Sequence, residues 1–272
     1  MKLQMFQIDA FTDRVFSGNP AAICPLDQWL DETAMLAIAA ENNLAETAFF
    51  VRDGSGYALR WFAPKSEVQL CGHATLATGF LIFNHLLPGT TSATFQTRSG
   101  PLRVKQEGEY LAMELPSYPA KRCDAPPEDL LAGLTPAPRL VLEAGGGAGE
   151  GNYYVVYDTE DEVRNAQPNL PRLEKLHPHG VCITAPGKEA DFVSRYFVPS
   201  FGIPEDPVTG STHCTLAPYW AERLGKKVLQ GRQISPRGGT LIVEPRGDRV
   251  ILRGKAALYL KGEIFLEPGS AR

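Results

Sequence analysis

One short pattern occurs twice in this chain, and the second copy lies half a chain-length after the first. Arg60-Trp61-Phe62-Ala63-Pro64 returns as Arg195-Tyr196-Phe197-Val198-Pro199, 135 positions later in a chain of 272 residues. Three residues are then inserted. At the new spacing of 138, Glu67 matches Glu205, Gly72 matches Gly210, His73 matches Ser211 and Ala74 matches Thr212. A helix-compatible run follows each glycine, from His73 to Phe80 and from Ser211 to Ala217. Chance recurrence of an Arg-aromatic-Phe-x-Pro string would not reproduce the order, the spacing and the glycine-to-helix step together. The repeat therefore predicts two similar halves, each with a strand, a glycine turn and a helix.

The rest of the pattern is mostly β. Phe6, Ile8 and Ala10 alternate as a half-buried strand does, and 57–62, 93–97, 102–106 and 110–115 read as further strands. Asp31 is placed to cap a helix running through Asn43, with Met35, Ile38 and Ala39 on one face. In the second half, strands are expected near 153–158, 181–184 and 192–198, with several short ones between 239 and 266. The proline-rich stretch from Pro116 to Pro138 reads as the crossing between halves. The expected class is α+β: two pseudo-symmetric halves, each a curved, mostly antiparallel sheet around a central helix. The halves are 1–117 and 118–272, with an active-site cleft between them; the last strand, about 258–270, can join either half.

Composition narrows the function. The net charge is −4, and no basic stripe is available to neutralise phosphates, which argues against a nucleic-acid partner. No apolar run approaches the ~20 residues of a membrane helix. The segment from Met1 to Met5 leads directly into a strand and lacks the apolar core of a signal peptide, so a cytoplasmic location is expected. The five cysteines, at 24, 71, 123, 182 and 214, form no CxxC, and their number is odd. Neither a disulfide framework nor a structural zinc site is favoured. Walker A and GxGxxG motifs are absent, and Gly145-Gly146-Gly147 is only a glycine cluster, so nothing points to ATP or NAD.

The candidate chemistry gathers around the repeat. A glycine turn that opens a helix leaves backbone N–H groups without acceptors, with the positive end of the helix dipole behind them. Gly72 and Gly210 are thus either tight turns or anion sites that hold a carboxylate or an enolate-like oxyanion. Asp206 lies in Pro204-Glu205-Asp206-Pro207, where two prolines stiffen the loop just before Gly210 and Ser211; it is either a turn residue or a positioned carboxylate. His73 opens the first helix, where a cationic ring is disfavoured, so it reads as a neutral imidazole or as a capping residue. The other histidines, 85, 177, 179 and 213, show no ligand spacing and read as structural or surface residues. Glu46 is the one charge leading into the apolar run from Thr47 to Val51, a setting that suits a carboxyl to proton transfer, although an edge-strand glutamate fits too. At the spacing of 135 its counterpart is Val181, so the chain supplies one carboxylate where a symmetric design would supply two. Cys71, beside Gly72, is either a reactive thiol at a helix start or an inert buried one. Its counterpart is Thr209, which leaves no pair of thiols for a two-cysteine racemase.

Four ordered motifs carry a resemblance. They are Asp9-Ala10-Phe11-Thr12 with Gly18-Asn19-Pro20-Ala21-Ala22, Asn43-Leu44-Ala45-Glu46-Thr47, Cys71-Gly72-His73-Ala74-Thr75, and the run from Glu205 to Ser211. The chain resembles the phenazine-biosynthesis isomerase (PhzF-like) family over essentially its full length. That resemblance implies a diaminopimelate-epimerase-like fold, a homodimer and no cofactor or metal. It implies a proton moved between carbons of a small carboxylate-bearing substrate, with Glu46 as general acid/base. It implies assistance from His73, Asp206 and Ser211, and substrate contacts around Gly72, Gly210, Asn19 and Cys71. Two other readings stay open. One is an amino- or hydroxy-acid racemase or epimerase using Cys71; the other is a small-acid-binding or interaction module without turnover.

Overall fold

Alternation builds the first strand as expected: in β1 (Lys2–Ala10) Phe6, Ile8 and Ala10 are buried. The computed structural model describes residues 1–145 and 151–267; Gly146 and Gly147 of the glycine cluster and residues 268–270 of the expected last strand lie outside these. The chain divides into two compact units, Met1–Glu114 with the returning segment from Arg253, and Leu115–Leu252.

In the first unit, β2 (Asn19–Leu26), α1 (Glu32–Asn42) and β3 (Glu46–Asp53) form a crossover. β2 and β3 pair in parallel, Ala21 opposite Glu46, and parallel neighbours need such a connection. Met35, Ile38 and Ala39 are the buried residues of α1, and Asn43 ends it in the left-handed conformation, at φ 49°. Asp31 stands at the N-cap position, but its side chain makes no capping hydrogen bond. β4 (Gly56–Ala63) lies antiparallel to β3, and β5 (Ser66–Val68) folds back on β4. The helix α2 (Gly72–Leu81) follows, then β6 (Ser92–Gln96), β7 (Leu102–Glu107) and β8 (Tyr110–Pro116). The returning strand, Ala256–Phe265, pairs antiparallel with the whole of β1, so the last strand belongs to the first unit.

Eight of the ten residues of α2 are buried, and the helix packs against β1, β2, β3, β7 and the returning strand. A helix that is apolar or small all round is what a surrounding sheet requires. At Gly79 an added Cβ would lie 2.7 Å from Val104 Cγ1, so β7 approaches the helix more closely than alanine allows.

The proline-rich stretch is not a bare crossing. It lies in the second unit and carries β9 (Lys121–Arg122), α3 (Glu128–Leu131) and β10 (Leu134–Thr135). Its apolar residues Leu130 and Leu134 are buried in that unit's core, which is why the segment packs rather than links. Further along come β11 (Leu140–Gly145), β12 (Gly151–Val156), α4 (Glu160–Asn165), β13 (Gln167–Pro168), α5 (Leu170–Leu173) and β14 (Gly180–Pro186). They are followed by β15 (Phe192–Val198), β16 (Ile203–Asp206), α6 (His213–Leu224), β17 (Leu229–Gln233), β18 (Gly239–Arg246) and β19 (Arg249–Gly254). β12 and β14 are parallel, and β15 is antiparallel to β14. The order β12-α4-β14-β15-β16-α6 therefore repeats β2-α1-β3-β4-β5-α2, a longer repeat than the sequence strings alone reveal.

The repeated arginine has the same task in both units. Arg60 Nε and Nη2 donate to the two carboxylate oxygens of Glu67 at 2.8 and 2.7 Å. Arg195 Nε and Nη2 donate to those of Glu205 at 2.8 and 2.9 Å. Each fork ties the strand to the segment leading into the glycine turn, with the directional strength of a bidentate pair. Pro218 inside α6 cannot donate to the carbonyl of Cys214; the backbone N–H of Tyr118 does so instead, at 2.9 Å.

Candidate active site

Strand geometry brings the first group of side chains together. Asn19 and Ala21 share one face of β2, because side chains two apart point the same way. Glu46 opens β3 directly opposite Ala21, so its side chain is on that face too. Gly18 makes the approach possible. Its φ is +66°, and a Cβ there would lie 2.1 Å from the carbonyl oxygen of Ala10. The loop before it is held by Asp9, buried in β1, which accepts a hydrogen bond from the Phe16 amide at 3.0 Å.

His73, the second residue of α2, is the centre of the group. Its Nδ1 lies 3.4 Å from the Asn19 amide nitrogen and 3.5 Å from Cys71 Sγ. Its Nε2 lies 3.3 Å from Glu46 Oε2. Burial pushes the pKa of His73 down to about 3, so the ring is neutral at neutral pH. The Asn19 amide nitrogen can only donate, and the Cys71 thiol can donate as well, which leaves Nδ1 with the lone pair and Nε2 with the proton. The protonated nitrogen of the ring is thus the one near the carboxylate, although at 3.3 Å the pair lacks the alignment of a hydrogen bond. Cys71 and His73 are buried, whereas the Glu46 side chain is 18% exposed and forms the open end of the group.

Gly72 is not there for a left-handed turn. An added Cβ would meet only Met113 Cε, at 3.7 Å, and the backbone is not in the positive-φ region. Neither space nor backbone conformation requires glycine at this turn.

The second group lies in the second unit. Asp206 ends β16, and its Oδ2 accepts a hydrogen bond from the Thr209 hydroxyl. Gln233, fully buried on β17, clamps the loop: its Nε2 donates to the Asp206 carbonyl at 2.7 Å and its Oε1 accepts from the Thr209 amide at 2.8 Å. Ser235 Oγ donates to the Pro207 carbonyl at 2.7 Å. Gly210 is buried and Ser211 is exposed. The helix does not begin at Ser211 as expected. Gly210, Ser211 and Thr212 form tight turns in which the amides of His213, Cys214 and Thr215 bond three residues back, and α6 starts at His213. The Asp206–Thr209 bond closes a turn just before this segment.

His213 reads from sequence as a scattered structural or surface residue; the structure buries it completely. Its Nδ1 donates to the Thr209 carbonyl at 2.9 Å, four residues back. At the matching place in the first unit Thr75 Oγ1 donates to the Cys71 carbonyl at 2.6 Å. A side chain closes the glycine turn onto its helix in both units.

Sheet register corrects the counterpart of Glu46. Phe49 pairs with Arg60 in the first unit, and Ile183 pairs with Arg195 in the second. The spacing on these strands is therefore 134, and the residue matching Glu46 is Gly180, not Val181. A Cβ at Gly180 would lie 2.2 Å from the hydroxyl of Tyr196, which donates to Asn152 Oδ1 at 2.7 Å. The tyrosine occupies the space a second acidic side chain would need. A single carboxylate remains the correct count at these positions.

Sequence reasoning missed Gln233, and it quoted Asp9 within a motif without giving it a role. Gln233 was legible as a polar residue at the inward position of the alternating strand Leu229-Gln230-Gly231-Arg232-Gln233. Among the described residues, no helix is long and apolar enough to cross a membrane.

Comparisons with known proteins agree with this architecture. Residues 8–262 match the model of the phenazine biosynthesis-like protein (PhzC-PhzF) family. A Pseudomonas aeruginosa protein named an isomerase is 48% identical over 98% of this chain and its own full length. The crystal structure of a PhzF-family protein from Enterococcus faecalis superposes with a TM-score of 0.91 at 42% identity, covering 98% of this chain and 100% of that one. A probable proline racemase from Agrobacterium radiobacter covers 98% of this chain at a TM-score of 0.66 and 11% identity, a likeness of fold alone. The α+β fold, built twice around a central helix, is thus of the diaminopimelate-epimerase type, and the chain belongs to the phenazine biosynthesis-like family of isomerases.

Proposed function

We propose that this isomerase moves a proton between carbons of a small carboxylate-bearing substrate, with Glu46 as the general acid/base and with no cofactor. The observation that carries the reading is the approach of the Glu46 carboxylate to the neutral imidazole of His73, at 3.3 Å. Glu46 removes a proton from a carbon next to an unsaturated or carbonyl group. Charge then develops on the substrate, and the Nε2–H of His73 is a donor that can support the carboxylate or the developing oxyanion without itself ionising. The backbone amides at the start of α2, by Gly72, are the proposed place for the substrate's carboxylate. Asp206, Gly210 and Ser211 enter the proposal through the family resemblance. Support for Asp206 is the buried Gln233 clamp, which fixes the backbone of its loop.

The other catalytic reading, an amino- or hydroxy-acid racemase or epimerase with Cys71 as one acid/base, would need a second proton-transfer group of another kind. Thr209 stands where the second cysteine would be, and its hydroxyl is engaged with Asp206. The test is a screen of small acids with acidic C–H bonds for proton exchange in heavy water, followed by turnover of any that exchange. Glu46→Gln should lower that turnover by at least ~100-fold, the usual size of general-base catalysis. Turnover near the wild-type level in this variant would overturn the assignment.

A further inference from the structure

We propose that Glu46, Cys71 and His73 form an inhibitory site for a soft divalent cation such as Zn²⁺. One ligand atom from each of the three residues lies within 4.8 Å of the others. The donor set, a thiol, an imidazole and a carboxylate, is the one zinc takes in proteins, and three protein ligands leave a fourth position open. The spacing fits as well. Cys71 Sγ and His73 Nδ1 are 3.5 Å apart. Tetrahedral zinc with bonds of ~2.3 Å to sulfur and ~2.05 Å to nitrogen holds those two atoms about 3.6 Å apart. Nδ1 carries the ring's lone pair, as argued above, so it can bind a cation once the Asn19 amide turns aside. Glu46 Oε2 lies beside the other ring nitrogen, Nε2, so its carboxylate must swing from there to the ion, a movement its three side-chain torsions allow.

The residues come from two elements of one unit, β3 and the start of α2. Cys71 binds as the thiolate, and its proton is released to solvent when the metal enters. Inhibition, as distinct from binding, rests on the proposed role of Glu46: a metal there removes the base from the reaction.

The test uses the full chain and the metal alone. Zn²⁺ is titrated in competition with a chromophoric chelator, and Co²⁺ is added separately to look for the ultraviolet charge-transfer band of a thiolate ligand. The expected result is one equivalent bound by the wild type, with a cobalt–thiolate band. Cys71→Ser and His73→Gln should each weaken zinc at least ~10-fold, as should Glu46→Gln, the lower end of what loss of metal-site groups costs. Cys182→Ser, a buried thiol in the other unit, should change nothing. Circular dichroism of each variant separates lost binding from lost folding. If Cys71→Ser does not fold, the cobalt band of the wild type and its loss in His73→Gln decide the matter. No zinc binding by the wild type, an absent thiolate band, or undiminished binding in a folded Cys71→Ser or His73→Gln variant would overturn the site. None of these readouts uses turnover, so failure here leaves the general-base reading intact.

Discussion

His213→Asn should flatten the fall in stability toward acid that a buried, neutral histidine imposes. His213 is completely buried, with its Nδ1–H bound to the Thr209 carbonyl at 2.9 Å. Burial pushes its pKa down to about 4, whereas in the unfolded chain it titrates near the ordinary ~6.5. The sign follows from where the proton sits. Above about pH 6.5 neither state holds it; between about 6.5 and 4 the unfolded chain holds it and the folded chain does not. Stability is therefore full at neutral pH, falls as the pH drops through that window, and levels off below it. Around pH 5 the slope is about 1 kcal/mol per pH unit, and the accumulated loss relative to pH 8 is about 2 kcal/mol. Asparagine keeps an N–H near the position of Nδ1 and cannot titrate. Urea denaturation of both proteins, from about pH 8 to about pH 5, should show wild-type stability losing about 2 kcal/mol more than the variant. His73, whose pKa burial takes to about 3, contributes equally to both proteins and cancels in the difference. Parallel stability curves would show that His213 is not held neutral by the fold.

Two further substitutions probe the packing. Gly79→Ala gains about 1 kcal/mol of helix propensity, but its Cβ meets Val104 Cγ1 at 2.7 Å. The net effect expected in urea melts is a loss of about 1–2 kcal/mol, which should shrink or reverse in the Val104→Ala background; a stabilised single variant would refute the close approach. Arg195→Met strips Glu205 of its bidentate partner and takes a donor from the carbonyls of Val163 and Ala166 at the end of α4. Its cost should be about 3 kcal/mol by chemical denaturation, and the double variant with Glu205→Met should recover at least half; a cost below about 1 kcal/mol would mean the fork adds little.

Much of this was written in local patterns. Alternation marked β1, strand-forming runs marked β4, β6, β7, β8 and β15, and the Met35, Ile38 and Ala39 stripe marked the buried face of α1. The Arg60 and Arg195 strings exposed the duplication because identical residues do identical work in both units: each guanidinium must reach a glutamate just before a glycine turn. Glu46, Cys71 and His73 were legible as candidates for a related reason. A charge leading into an apolar strand and a polar pair at a helix start are locally out of place, and such misfits need a partner somewhere.

Which partner each finds is another matter. Nothing in the spacing of Asn19, Glu46 and His73 says that a parallel register, Ala21 against Glu46, will bring all three to one face. Counting along the chain made Val181 the match for Glu46; the ladder, which alone sets the pairing of strands, made it Gly180 and filled the space with Tyr196. Gln233 looked like any polar strand residue until its side chain was found clamping a loop 27 residues away. By itself, then, the sequence determined the repeat, the elements and the chemical types available. The tertiary structure decided their partners, because register, burial and the protonation of His73 and His213 depend on residues distant in sequence and adjacent only after folding.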